Sequence, residues 1–177
     1  MRFRSSLLAV CLCALVGLCV GQNGSAPNPC VAKEQQQLDF WVGEWDLTWP
    51  GAKAGEVQRG TNSVRRVLDG CVVEENFLGG DETHLRGKSV SIFDTGSGKW
   101  KQTWVDNEGG YLDFVGEFAG GEMILAREVA RPDGTKSLQR MVFKNISKDE
   151  FDWSWEGSKD GGKSWQVVWP IHYRRRK

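Results

Sequence analysis

Residues 98–118 read GKWKQTWVDNEGGYLDFVGEF. Trp100, Gln102 and Trp104 alternate with Lys101 and Thr103. After Glu108-Gly109-Gly110, Leu112, Phe114, Gly116 and Phe118 alternate with Tyr111, Asp113, Val115 and Glu117. A period of two is that of a β-strand, whose successive side chains face opposite sides of the sheet. Glycine accepts the positive φ that a tight hairpin turn demands. The stretch predicts two antiparallel strands joined by a short turn.

The same pattern runs outward in both directions. Trp45, Leu47 and Trp49 alternate with Asp46 and Thr48, and Cys71, Val73, Glu75 and Phe77 with Val72, Glu74, Asn76 and Leu78. Met123, Leu125, Arg127 and Val129 follow, then Met141 and Phe143, then Phe151, Trp153 and Trp155, and finally Trp165, Val167, Trp169, Ile171 and Tyr173. Gly-rich turn signals separate the runs at Gly79-Gly80-Asp81, Gly96-Ser97-Gly98, Gly120-Gly121, Pro132-Asp133-Gly134 and Asp160-Gly161-Gly162. The spacing gives about ten strands. A meander of hairpins exposes two edges unless it closes. The predicted fold is therefore all-β, an antiparallel up-and-down barrel of about ten strands, with a two-sheet sandwich as the alternative. Ala32 to Leu38, rich in helix formers and free of Gly, predicts a short N-terminal helix.

The chain opens with Arg2 and Arg4 ahead of an apolar or small run from Leu7 to Val20. That is the layout of a secretory signal, cut near Gly21 or alternatively near Ala26. A membrane span needs roughly 20 apolar residues, more than this run holds. The expected organisation is a signal at 1–21, a flexible leader and helical arm at 22–37, and one barrel domain at 38–177. The expected location is secreted or periplasmic.

Lys plus Arg and Asp plus Glu each total 23, so loss of Arg2 and Arg4 leaves a formal charge of −2. That balance argues against nucleic acid as the partner. The basic end, Arg174 to Lys177, reads as a solvated tail. Cys11, Cys13 and Cys19 leave with the signal. Cys30 and Cys71 remain, and two cysteines in an oxidising compartment most simply pair.

Gly43-Glu44-Trp45 at the first strand is similar to the G-x-W opening of the calycin superfamily, the lipocalin-like barrels. The resemblance implies that Trp45 plugs one end and packs against a basic residue of the last strand. Arg175, in phase with Tyr173, Ile171 and Trp169, is the residue expected on it, with Arg174 as the alternative. Longer stretches carry a closer likeness: DFWVGEWDLTW (39–49), GCVVEENF (70–77), GKSVSIFD (87–94), GKWKQTWVDNEGG (98–110) and SKDGGKSW (158–165). These resemble the domain of unknown function fifteen-seventy-nine, a family of uncharacterised exported bacterial proteins. The likeness implies a calycin-like fold and an exported setting, and no activity or catalytic residues.

Nine Trp fall in this small domain. Their even spacing within each cluster places Trp41, Trp45 and Trp49, Trp100 and Trp104, Trp153 and Trp155, and Trp165 and Trp169 each on one sheet face. Most read as core filling, and some as the lining of a cavity. Glu75 shares a face with Val73 and Phe77, so its carboxylate is expected inside, paired with Arg127 or Arg140. Gln102 is the other polar group expected inward. Glu75, Gln102, Trp104 and Arg140 form the expected ligand site. Ser158-x-Asp160-x-Gly162-x-x-Trp165 has the form of an Asp-box, a structural hairpin motif in which Asp160 caps the turn and Trp165 packs beneath it.

The two histidines, His84 and His172, are too few for a metal site, and no triad or nucleotide loop is evident. Resemblance to haem-binding barrels of the nitrobindin type leaves His172, on a late strand, as an axial candidate, although it alternates out of phase with Trp169, Ile171 and Tyr173. Otherwise no cofactor is expected. The function expected first is binding of a small apolar ligand among Trp rings. An enzyme with Glu75 as general base is the second reading, and a structural or interaction protein with no small-molecule site the third.

Overall fold

The structure is a computed structural model that describes residues 29–130 and 134–177. The expected signal and most of the leader, and Pro132-Asp133 of one turn, lie outside the described residues. Ten antiparallel strands close into a barrel: β1 (Gly43–Pro50), β2 (Val57–Val67), β3 (Val72–Leu78), β4 (Arg86–Asp94), β5 (Lys99–Asp106), β6 (Tyr111–Ala119), β7 (Glu122–Ala130), β8 (Lys136–Lys144), β9 (Glu150–Ser158) and β10 (Gln166–Arg175). Each strand pairs with its sequence neighbours, and β10 returns to β1. This is the up-and-down barrel that the alternation predicts, and the sandwich alternative is set aside.

Two strands lack the apolar alternation of the rest. The inward positions of β2 include Gly60, Asn62 and Val64, and those of β4 include Gly87, Ser89 and Ser91. A half-polar inner face gives little hydrophobic signal, although Asn62, Ser89 and Ser91 are buried. The Gly79-Gly80-Asp81 signal is not a tight turn. It opens one turn of helix, α1 (Gly80–Thr83), ended by His84 in the left-handed conformation.

The end of the barrel where β1 begins is plugged. The arm forms two short 3₁₀ turns, Lys33–Gln36 and Asp39–Trp41, which place Leu38 and Trp41 under the strands. Trp41 meets Phe143 edge-on at 5.1 Å, and Trp45 meets Phe151 at 4.9 Å. Trp45 Nε1 donates to Trp41 O at 2.7 Å, so the plug is tied by a polar bond as well as by area. Cys30 and Cys71 are joined by a disulfide that fastens the arm to the β2–β3 turn. Arg66 adds bonds to Asp39 Oδ1 and Gln35 O.

The G-x-W opening has a visible cause. Arg175 lies over the Trp45 ring, 4.2 Å from its centroid. It also donates to the carbonyls of Val42, Phe40 and Lys148. A Cβ on Gly43, whose φ is +142°, would stand 2.1 Å from Arg175 Nη1. The basic end is thus solvated only in part: Arg174, Arg176 and Lys177 are exposed, with Arg176 bonded to Asp46 at 2.6 Å, but Arg175 seals the plug.

Candidate functional site

Above the plug the barrel is hollow. A cavity of about 200 Å³ is walled by Phe77, Phe114, Met141, Trp153, Trp155, Trp169 and Ile171. Trp41, Tyr173 and Glu75 form its floor, and Leu85, Trp104, Asp106 and Leu112 its rim. Floor residues are buried whereas Leu85, Trp104 and Leu112 are partly exposed, so the cavity opens at the end away from the plug. Edge-to-face contacts lock the walls: Trp153 on Trp169 at 5.9 Å, Phe77 on Trp104 at 6.0 Å, Phe114 on Trp155 at 5.7 Å. Interlocked rings of this kind hold a shape that no ligand has to create.

Glu75 is the polar centre of the floor. Its side chain points inward from β3 because it is in phase with Val73 and Phe77, as the sequence predicts. Asn62 Nδ2 donates to Oε1 at 2.7 Å and Ser89 Oγ to Oε2 at 2.6 Å. Asn62 and Ser89 come from the two flanking strands that alternation hides. Burial pushes the Glu75 carboxyl up to about 7, only partly opposed by the bonds from Ser89 and Asn62. Tyr173 Oη accepts a second bond from Asn62 Nδ2 at 3.2 Å. Its phenol is pushed well above the usual range by burial and by the Glu75 charge.

The expected partners of Glu75 are elsewhere. Arg140 pairs across the strands with Ala126 and Glu156, on the outer face, while Met141 and Phe143 point in. It bonds Glu156 at 2.6–2.7 Å and lies 4.0 Å from the Trp165 centroid. Arg140 therefore leaves the expected ligand site. Its strand buries Met141, Val142 and Phe143 in succession, so apolar character does not mark the inner face. Arg127 does stand on the inward face, but 5.8 Å over the Phe114 ring and away from Glu75. Gln102 is buried inside, where Nε2 donates to Ser91 Oγ at 2.9 Å. Trp104 is at the rim, its indole N–H on Asp106 Oδ2 at 2.8 Å. Burial pushes the Asp106 carboxyl up, but the bonds from Trp104, Gly110 and Glu108 outweigh it and leave it below the ordinary range.

Trp165 and Trp169 do not share a face. A bulge between Val167 and Trp169 reverses the phase, sending Trp169 into the cavity and Trp165 outward. The Asp-box itself forms as expected. Asp160 accepts from Ser158 Oγ and from both N and Oγ of Ser164. Those bonds hold its carboxyl down near 2. His172 lies outside, bonded to Asp152 at 2.9 Å, so a haem in the cavity would find no imidazole on this strand. Among the described residues no three His, Cys, Asp or Glu are grouped to hold a metal, and no helix is long and apolar enough to cross a membrane.

A family model described as a protein of unknown function, DUF1579, matches residues 31–175. The chain belongs to the DUF1579 family. The match takes in the arm that carries Trp41 and every strand of the barrel, so plug and cavity are both inside the DUF1579 unit. No curated protein matches the sequence.

Sequence reasoning missed three residues that stand behind the lining of the DUF1579 cavity: Asn62 and Ser89, which hold Glu75, and Gly87. A Cβ at Gly87 would come within 2.0 Å of the Trp104 ring, so the glycine makes room for that indole. A glycine inside a strand, here in GKSVSIFD, is the signal for such a close approach.

Proposed function

We propose that this protein is exported and binds a small, largely apolar ligand in the Trp-walled cavity. The observation that carries the reading is the cavity itself: aromatic walls and one buried carboxyl at the floor. Its volume exceeds the ~150 Å³ apolar cavity that takes up benzene and falls below the ~300–1,000 Å³ of drug-sized sites. A substituted ring or a short chain is the size that fits. Export is supported by the basic-apolar start of the chain and by the Cys30–Cys71 disulfide. Native mass spectrometry of protein from its own host, with titration by 2-phenylethanol followed through Trp fluorescence, tests it. The expected results are a retained small molecule and a saturable signal weakened in Trp104→Ala. A flat titration together with a ligand-free mass overturns the reading.

A second reading is favoured by one observation: the Glu75 carboxyl, raised to about 7, faces an open cavity, as a general base would. Under that reading the cavity ligand is a substrate losing a proton to Glu75. Incubation of the captured ligand with wild type and Glu75→Gln separates the two: turnover by wild type alone favours catalysis, and unchanged ligand with both favours binding.

A further inference from the structure

Among the described residues the buried carboxylate has no cationic partner of its own. Glu75 is 6% exposed, and its two bonds come from the neutral donors Asn62 and Ser89. A buried charge in a folded protein is ordinarily matched by an opposite charge. Among the described residues no Lys or Arg lines the cavity, and its ionisable carboxyls are Glu75 at the floor and Asp106 at the rim. The inward-facing cations are held elsewhere, Arg127 over Phe114 and Arg175 over Trp45.

The polar atoms around the floor are also unbalanced. Asn62 Oδ1 and Gln102 Oε1 are buried acceptors without a donor, set against one donor without an acceptor, Trp41 Nε1. Gln102 bonds Ser91 outside the cavity lining, whereas Asn62 touches Glu75 directly, so its Oδ1 and the carboxylate make the floor rich in acceptors. The walls above them are Trp faces, which attract a cation through the ring quadrupole.

We propose that the cavity ligand is a protonated primary or secondary amine, its ammonium on Glu75 and its apolar body among Trp104, Trp153, Trp155 and Trp169. This rests on the binding reading above and names the ligand class. Ammonium and carboxylate compensate each other, and the indoles cover the carbon skeleton.

The test compares 2-phenylethylamine with its neutral counterpart 2-phenylethanol and with 3-phenylpropanoate, by calorimetry at pH 8. The amine should bind at least about tenfold more tightly than the alcohol, and the carboxylate should not bind. Glu75→Gln should erase the preference, bringing the amine and alcohol affinities to within about threefold of each other. Should that variant fail to fold, the wild type at lower pH serves the same end. The groups facing Glu75 are Asn62 from β2, Ser89 from β4 and Tyr173 from β10, with Asp106 of β5 at the rim and Arg127 of β7 over Phe114. Glu75 titrates between pH 8 and 5.5, so amine affinity should fall at least about tenfold over that range while alcohol affinity holds. If the alcohol binds as well as the amine, the ammonium assignment is overturned and the binding reading survives. If neither binds, the ammonium assignment falls, and with a ligand-free mass the binding reading falls too.

Discussion

Arg175 and Gly43 occupy one space: the guanidinium fills the volume where a Cβ of residue 43 would sit, 2.1 Å from Nη1. Gly43→Ala should cost about 1–3 kcal/mol, since it adds the clash to a positive φ. Arg175→Ala should cost about 2–4 kcal/mol, because it removes the cation over Trp45 and three bonds to main-chain carbonyls. The double variant should cost less than the sum, because without the guanidinium the clash disappears. Urea denaturation of the three variants checks this.

Glu75 should make stability depend on pH in an unusual direction for a carboxyl. Its folded value, about 7, lies above the ordinary 4.5. Folding therefore favours the protonated form. The contribution is fully present below about pH 4.5 and is lost as pH rises through 7, a change of about 3 kcal/mol. Glu75→Gln should remove this slope and melt higher than wild type at pH 8. Thermal melts of both proteins from pH 5 to 8 in the absence of ligand decide the matter; parallel curves would show that the carboxyl is not raised.

Gly87→Ala should shrink the cavity from its rim. The added methyl cannot coexist with the Trp104 ring, so the indole must move. A stability loss of about 1–3 kcal/mol is expected from overpacking. Affinity for 2-phenylethanol should fall severalfold, and Trp104→Ala in the same background should recover the stability. Calorimetry and denaturation together report both effects.

Arg140→Ala should destabilise the barrel without touching ligand binding. The change leaves Glu156 buried and unpaired beneath Trp165, at a cost of about 2–4 kcal/mol. Because the pair lies on the outer face, ligand affinity should stay within about twofold. A large loss of affinity at full occupancy of the folded state would contradict the outward placement.

Replacing both Cys30 and Cys71 by Ser should cost up to about 4 kcal/mol, the chain-entropy value for a loop of this length. The loss should show first at the plug, since the arm carrying Leu38 and Trp41 loses its covalent tether. Hydrogen exchange at residues 33–42 should quicken before that of β5 or β6.

The apolar alternation and the Gly-rich turns made the barrel legible, and Gly43, Trp45 and Arg175 made the plug so. Glu75 could be placed inside because its strand neighbours Val73 and Phe77 are unambiguous. Its partners could not. Asn62 and Ser89 sit on strands whose inner face is itself polar, so the feature that holds the carboxyl is the one that hides the strand. Sequence alone misplaces Arg140, because β8 buries three successive residues and only the register against Glu156 fixes its direction. Trp165 and Trp169 were assigned one face because a single extra residue, unmarked by Gly, reverses the phase.

The ring closes through only four registered pairs between the first and last strands, against eight between β1 and β2. Trp45 has to wait for Arg175, so during synthesis every other hairpin can zip locally while the circle stays broken. Contacts so far apart in sequence are slow to form. Until β10 reaches β1 the molecule is consequently an open ribbon, and its two bare edges are where it is most exposed to pairing with another copy.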